Sequence, residues 1–125
     1  MKILVVDDEA AIRGIVTRWL EAAGHESWAA VSAEQAVEEL ECITPAVVVS
    51  DIEMSARNGF WLAEEIGRRW PNTAVILMTG CLDAGMARRS MSTGAIDYLR
   101  KPFTRDQLVA SVSRALLWHH SRVAS

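Results

Sequence analysis

The chain has 125 residues, 50% hydrophobic and 23% charged, and its 13 basic and 16 acidic side chains leave a formal charge of −3. A chain of this size and composition builds one apolar core, which excludes disordered, collagen-like and low-complexity classes. The acidic balance supplies no electrostatic footprint for direct nucleic-acid binding. Only Ile3-Leu4-Val5-Val6 precede Asp7-Asp8-Glu9 as an apolar run, too short for a signal-peptide core or membrane insertion. The expectation is therefore a cytoplasmic protein. Cys42 and Cys81 lie far apart without a CxxC or Cys/His pattern, so they predict buried or bystander thiols, not a disulfide framework or zinc site.

Ile3-Leu4-Val5-Val6 reads as a first strand, buried on both faces because it lacks polar alternation. Ile12, Ile15, Val16, Trp19, Leu20 and Ala23 then recur at helical spacing, predicting a helix over residues 10–23 that stops at Gly24. A weaker strand follows over 26–31. Ser32 caps a second helix, with Gln35 at the capping-box position and Ala36, Val37 and Leu40 facing inward, closed by Pro45. Ala46-Val47-Val48-Val49 is a third strand that ends in Ser50-Asp51. The third helix spans 59–70, with Leu62, Ala63 and Ile66 inward, Trp61, Glu65 and Arg68 outward, and Pro71 as its stop. Ala74-Val75-Ile76-Leu77-Met78 forms a fourth strand before Thr79-Gly80.

Residues 83–93 predict a fourth helix of low propensity, carrying Gly85, Ser90, Ser92 and Thr93 and a thin stripe of Ala87 and Met91. It should be the most easily displaced helix. The fifth strand, 96–99, is weak and belongs at an edge, as does the second. A last helix follows Thr104, with Gln107 at the capping-box position and Leu108, Val112, Ala115 and Leu116 inward. The alternation gives (βα)5: a three-layer α/β sandwich around a five-stranded parallel sheet. Residues 1–118 make one domain, and 119–125 form a tail or the start of a linker to an output domain.

Ligand sites in open parallel sheets lie beyond the carboxyl ends of the strands, where crossovers diverge. Asp7, Asp8, Asp51, Thr79 and Lys101 stand there. If the first and third strands are neighbours, three carboxylates converge, each pair repelling by roughly 4 kcal/mol at about 4 Å and an effective dielectric near 20. A hard divalent cation such as Mg2+ relieves that repulsion. Metal, carboxylate, ammonium and hydroxyl together suit phosphoryl transfer, with an Asp carboxylate as nucleophile and Lys101 neutralising phosphoryl oxygens. Neither a GxxxxGK[ST] nor a GxGxxG loop is present for nucleotide phosphates.

Four stretches carry a family resemblance: Ile3-Leu4-Val5-Val6-Asp7-Asp8-Glu9; Val48-Val49-Ser50-Asp51-Ile52-Glu53-Met54 with Asn58-Gly59; Met78-Thr79-Gly80; and Gly94-Ala95-Ile96-Asp97-Tyr98-Leu99-Arg100-Lys101-Pro102-Phe103. In this order they resemble a receiver domain of a bacterial two-component response regulator, like the chemotaxis receivers, along nearly the whole chain. The resemblance implies a flavodoxin-like sheet in order 2-1-3-4-5 and a phosphoacceptor module, not an enzyme beyond its own phosphorylation and dephosphorylation. It implies Asp51 as phosphoacceptor, Asp8 as direct Mg2+ ligand, Asp7 as its water-mediated companion, and the Glu53 backbone carbonyl as a further ligand. Lys101 becomes the phosphoryl-binding cation, Thr79 the switch hydroxyl, Tyr98 the switch aromatic and Pro102 a cis-proline. Glu53 and Cys81 occupy positions that influence phosphoryl lifetime in the family. Ser55 departs from the usual proline and frees the loop after Asp51. The implied partners are a sensor histidine kinase or histidine phosphotransfer protein, with an output domain or downstream protein. Phosphorylation would switch the face made by the fourth helix, fifth strand and fifth helix, through which the chain can also dimerise.

Other readings attach to the same residues. Asp7-Asp8-Glu9 can cap a helix, Lys101 can be a solvated lysine, Thr79 can bond to backbone and Tyr98 can be edge packing. A receiver-like fold can also serve as an interaction domain without phosphorylation. A metal-dependent phosphatase would need a substrate-sized cap that the chain lacks. His119-His120 do not share a helix face and suggest solvated tail, Trp61 suggests an outward partner contact, and Arg88-Arg89 fall on the output face.

Overall fold

The computed structural model describes residues 1–124, which form five strands and five helices in strict alternation: β1 (Lys2–Val6), α1 (Ala10–Ala22), β2 (Glu26–Ala30), α2 (Ala33–Ile43), β3 (Val47–Asp51), α3 (Gly59–Arg69), β4 (Ala74–Thr79), α4 (Ala84–Ser92), β5 (Asp97–Arg100) and α5 (Arg105–Ala124). The strands are all parallel, in order β2-β1-β3-β4-β5, so the architecture is the flavodoxin-like α/β sandwich. The two thinnest strands take the edges. Among the described residues, no helix is long and apolar enough to cross a membrane.

Alternation along the buried strands sends side chains to two separate cores. Ile3, Val5, Val47, Val49, Ile76 and Met78 meet Val16 and Leu20 of α1 and Leu108, Val112 and Ala115 of α5. Leu4, Val6, Val48, Val75 and Leu77 meet α2 and α3 on the opposite face. A strand covered on both sides has no use for polar residues, and this is why β1, β3 and β4 read as unbroken apolar runs. Each fully buried aliphatic side chain contributes about 1.5–3 kcal/mol.

Local chemistry sets the helix ends. Ser32 accepts from the Gln35 N–H at 3.1 Å, while the Gln35 side chain accepts from the Val31 N–H at 2.7 Å, one residue before the cap. Thr104 and Gln107 form the complete reciprocal box, at 3.1 and 2.9 Å. α1 has no side-chain cap, since Glu9 at its N-cap makes no such bond.

Several expectations shift. Ile15, expected inward, is exposed, and both cysteines are free and exposed, which fits bystander thiols and not buried ones. Met91 of α4 is exposed as well; Met86 and Ser90 face the core in the stripe predicted for Ala87 and Met91. Trp61 is half-buried against the α2/α3 core and covered by the Arg57 guanidinium at 4.3 Å, so it offers little to a partner. α5 continues through residues 119–124, where a tail was expected, and His119 Nδ1 lies 2.6 Å from the Asn72 carbonyl oxygen. Ser125, the last residue of that expected tail, lies outside the described residues.

Candidate functional site

The crossover direction reverses between β1 and β3, and the crevice at their carboxyl ends is where a ligand site belongs in this architecture. β1 and β3 pair in register from Ile3–Val47 to Val6–Ser50, so Asp7 and Asp51, each the next residue, emerge side by side. Asp7, Asp8 and Asp51 each offer a carboxylate oxygen, and these three oxygens lie within 4.8 Å of one another. Asp7 is fully buried, Asp51 is 3% exposed and Asp8 faces solvent. Three hard oxygens, one open to water, fit a hard divalent cation that retains water ligands.

Lys101 reaches this cluster from the carboxyl end of the edge strand β5. Its Nζ is 2.8 Å from Asp7 Oδ2, 3.2 Å from Asp51 Oδ1 and 3.9 Å from Glu9 Oε1. Its backbone is placed by an N–H bond to the Thr79 carbonyl at 2.7 Å, immediately before a cis Lys101-Pro102 peptide. Burial works against the ammonium, but the hydrogen bonds and charges of Asp7 and Asp51 outweigh it and leave the Lys101 pKa raised. Asp51 moves the opposite way to an ordinary paired carboxylate. Burial first and the Asp7 charge second push it up to about 7, against the pull of Lys101.

Asp7 is fixed by more than the ammonium. Its Oδ1 accepts from the Glu9 N–H at 2.9 Å, and its backbone carbonyl accepts from Arg13 at 2.8 Å. Thr79, fully buried at the end of β4, donates to Glu53 Oε1 at 2.5 Å and accepts from the Cys81 N–H at 3.1 Å. Gly59 closes the floor: its N–H donates to the Ile52 carbonyl at 2.9 Å, and a Cβ there would stand 2.3 Å from the Asp51 carbonyl oxygen. Only glycine lets the start of α3 lie against the end of β3.

The sequence expectations for Asp7, Asp8, Asp51, Thr79, Lys101 and Glu53 thus meet in one crevice. Tyr98 does not. It sits one strand away, half-buried, lining a groove of about 570 Å3 with Arg100, Phe103, Gln107 and Arg114. Asp97 ties that edge to α5 through Ser111 at 2.7 Å and Arg114 at 2.5 Å; burial opposes its ionisation, yet these bonds hold its pKa below the ordinary value. The reading of residues alone missed Arg13 and the bond between the Glu53 side chain and Thr79. Arg13 had a weak signal in its place on the first turn after the acids, whereas the Glu53–Thr79 bond joins two strand ends and has none.

Comparison with known proteins agrees with this geometry. Residues 3–113 match the family model described as the response regulator receiver domain. The chain is 38% identical over 112 residues to the DNA-binding transcriptional regulator NtrC of Klebsiella pneumoniae, covering 90% of this chain but 24% of that protein. It therefore spans about a quarter of the length of such curated relatives. A response regulator receiver domain protein from Clostridium thermocellum superposes with a TM-score of 0.88 at 32% identity, covering 99% of this chain and 98% of the other. The NtrX receiver domain from Brucella abortus superposes with a TM-score of 0.86 at 34% identity, covering 91% and 97%. The chain belongs to the response regulator receiver family: it is a phosphoacceptor receiver of two-component signalling.

Proposed function

We propose that Asp51 is the phosphoacceptor and that its donor is a phosphohistidine on a sensor histidine kinase or histidine phosphotransfer protein. The observation that carries this reading is the position of Asp51, buried at the end of β3 with an ammonium at 3.2 Å and two further carboxylates in reach of a shared cation. An Asp51 oxygen attacks phosphorus, the new P–O bond forms as the P–N bond breaks, and the imidazole leaves with the bonding electron pair. Lys101 binds one phosphoryl oxygen, and its charge favours the ionised, attacking form of Asp51 against burial and the Asp7 charge, which hold the proton on. Asp7, immobilised by Glu9 and Arg13, holds Lys101 in place and would hold a metal ion through a bound water.

Mg2+ is the cation this oxygen set favours; Asp8, Asp51 and the Glu53 carbonyl would hold it, and it would neutralise charge on the phosphoryl oxygens. Thr79 then donates its hydroxyl proton to the phosphoryl group, and the rearrangement passes along β4 and β5 to Tyr98 and the α4-β5-α5 face. That face is the docking surface for an output domain or a downstream protein, or for a second copy of the chain. Residues 1–118 are the receiver, and the final turns of α5 lead from it. Because the phosphodonor chain begins with ATP, this reading puts the domain in the cytoplasm.

The test is Mg2+-dependent incorporation of phosphoryl or beryllofluoride, followed by mass spectrometry or tryptophan fluorescence. Wild-type protein should label and Asp51→Ala should not; equal incorporation in both would remove Asp51 as acceptor.

A further inference from the structure

The Thr79 hydroxyl has one proton, and in this structure Glu53 holds it. Thr79 Oγ1 lies 2.5 Å from Glu53 Oε1, while its lone pair receives the Cys81 N–H at 3.1 Å and the Cys81 carbonyl is more distant at 3.3 Å. Glu53 is exposed, so its carboxylate reaches back from the loop after β3 to a hydroxyl that is fully buried. A hydroxyl bonded to an ionised carboxylate makes a charge-assisted hydrogen bond, roughly twice as strong as a neutral pair. Glu53 is otherwise solvated, and this is the side-chain bond that turns its carboxylate inward. The bond therefore selects one arrangement of Thr79, in which its proton is directed at Glu53.

We infer that Glu53 is a positioning residue that acts through Thr79, holding the hydroxyl in its unphosphorylated orientation until a phosphoryl group on Asp51 competes for the same proton. The inference rests on Asp51 as acceptor and deepens that reading by naming what opposes the switch. The competition is direct, since one proton cannot serve both acceptors. Its consequence is a population shift: any ligand that needs the Thr79 proton binds more weakly by the fraction of protein in which Glu53 holds it. Glu53 also places a negative charge near an incoming anion. The two effects are separable, because the charge acts with or without Thr79 and the bond does not.

A double-mutant cycle with Mg2+ and beryllofluoride, read by tryptophan fluorescence, separates them. Glu53→Ala should tighten beryllofluoride binding about ten-fold, the effect of removing one charge-assisted bond together with the repulsion. Glu53→Gln keeps an acceptor for Thr79 while losing the charge, and should give about three-fold. In a Thr79→Val background both variants should fall to the same small factor. An equal gain from Glu53→Ala in the wild-type and Thr79→Val backgrounds overturns the inference, and so does an equal gain from Glu53→Ala and Glu53→Gln. A second measurement does not depend on the acceptor: in metal-free protein, Glu53→Ala should shift the Thr79 methyl and Cys81 amide NMR resonances. Unmoved resonances refute the bond whatever beryllofluoride does, whereas shifted resonances in a wild-type protein that binds no beryllofluoride refute the Asp51 reading.

Discussion

Replacing Asp51 with asparagine should stabilise the metal-free domain, and only on the alkaline side of about pH 5. Asp51 is 3% exposed and its pKa is pushed from the ordinary 3.8 up to about 7 by burial and by the Asp7 charge. A raised carboxyl pKa means that the native state holds its proton where the unfolded chain has lost it. Between about pH 4 and 7 the native state binds more protons, so stability falls as pH rises through that window and levels off above it. A shift from 3.8 to about 7 corresponds to about 4 kcal/mol at the upper bound, since one unit is about 1.4 kcal/mol. Asparagine keeps the shape and an oxygen for Lys101 but carries no charge, and it forfeits part of the attraction to the ammonium. The net gain expected at pH 8 is therefore about 2–3 kcal/mol.

Urea unfolding followed by fluorescence of the five tryptophans, in EDTA at pH 4.5 and pH 8, measures this directly. Asp51→Asn and wild type should be close at pH 4.5 and well separated at pH 8, with little change in m-value. Added Mg2+ should stabilise wild type more than the variant and narrow the gap at pH 8, because the ion binds the ionised site in the folded state. An increment equal at both pH values would show that it arises from packing and not from charge. A variant no more stable than wild type at pH 8 would refute the electrostatic reasoning altogether.

Lys101→Met leaves Asp7, with no exposure to water, facing Asp51 without a cation; unfolding should be easier by about 3–5 kcal/mol, and beryllofluoride binding should disappear even at high Mg2+. Gly59→Ala forces a Cβ to 2.3 Å from the Asp51 carbonyl oxygen and 2.8 Å from Ile52 Cα, so a thermal melt should show a loss of about 3 kcal/mol or more. Ala56 sits at φ 61°, in the left-handed region, and Ala56→Gly should stabilise the loop after Asp51 by about 1 kcal/mol; a loss of stability would mean that the alanine methyl is packed. Native-state hydrogen exchange should find α4 amides opening well before those of α3, since α4 buries Ser90 where α3 buries Phe60, Leu62, Ala63 and Ile66. Equal protection of the two helices would remove α4 as the movable element.

The strands of this fold are legible in the sequence because burial on both faces removes the polar alternation that makes other strands ambiguous. Their order is not. Local pattern says nothing about β1 lying between β2 and β3, and the convergence of Asp7 with Asp51 becomes a fact only through the register of that pair. Periodicity located every helix but misjudged two positions. Ile15 and Met91 fit an inward stripe by spacing and are exposed, whereas Val16 and Leu20 of the same α1 stripe are buried as expected and Ser90 takes the buried place in α4. Ser90 can be buried in α4 because its hydroxyl donates to the Met86 carbonyl at 2.9 Å, so a polar residue fills an apolar position without an unpaired group. Side-chain bonds between strand ends, such as Glu53 to Thr79, leave no trace in spacing and need coordinates.

That last bond bears on how a local event at Asp51 can reach a surface two strands along the sheet. Thr79 ends β4, and the chain from Gly80 to Asp83 leads straight into α4, the helix with the poorest apolar anchor. Lys101 follows the neighbouring strand, and its N–H is bonded to the Thr79 carbonyl. The hydroxyl and the ammonium that would receive a phosphoryl group are therefore adjacent along the sheet, and both connect to elements that frame Tyr98. A phosphoryl group would draw Thr79 away from Glu53 and Lys101 away from Asp7 toward Asp51. Both displacements act on the same side of the sheet, beside a helix held by Met86, by Ser90 and by the Arg89 guanidinium stacked 4.3 Å from the Phe60 ring. α1 and α5, packed through Val16, Leu20, Leu108 and Val112 on the far face, have no such link to Thr79 and have far more to lose by moving. The direction of the switch thus follows from where the fold has put its weakest packing, one short loop past the hydroxyl that Glu53 restrains.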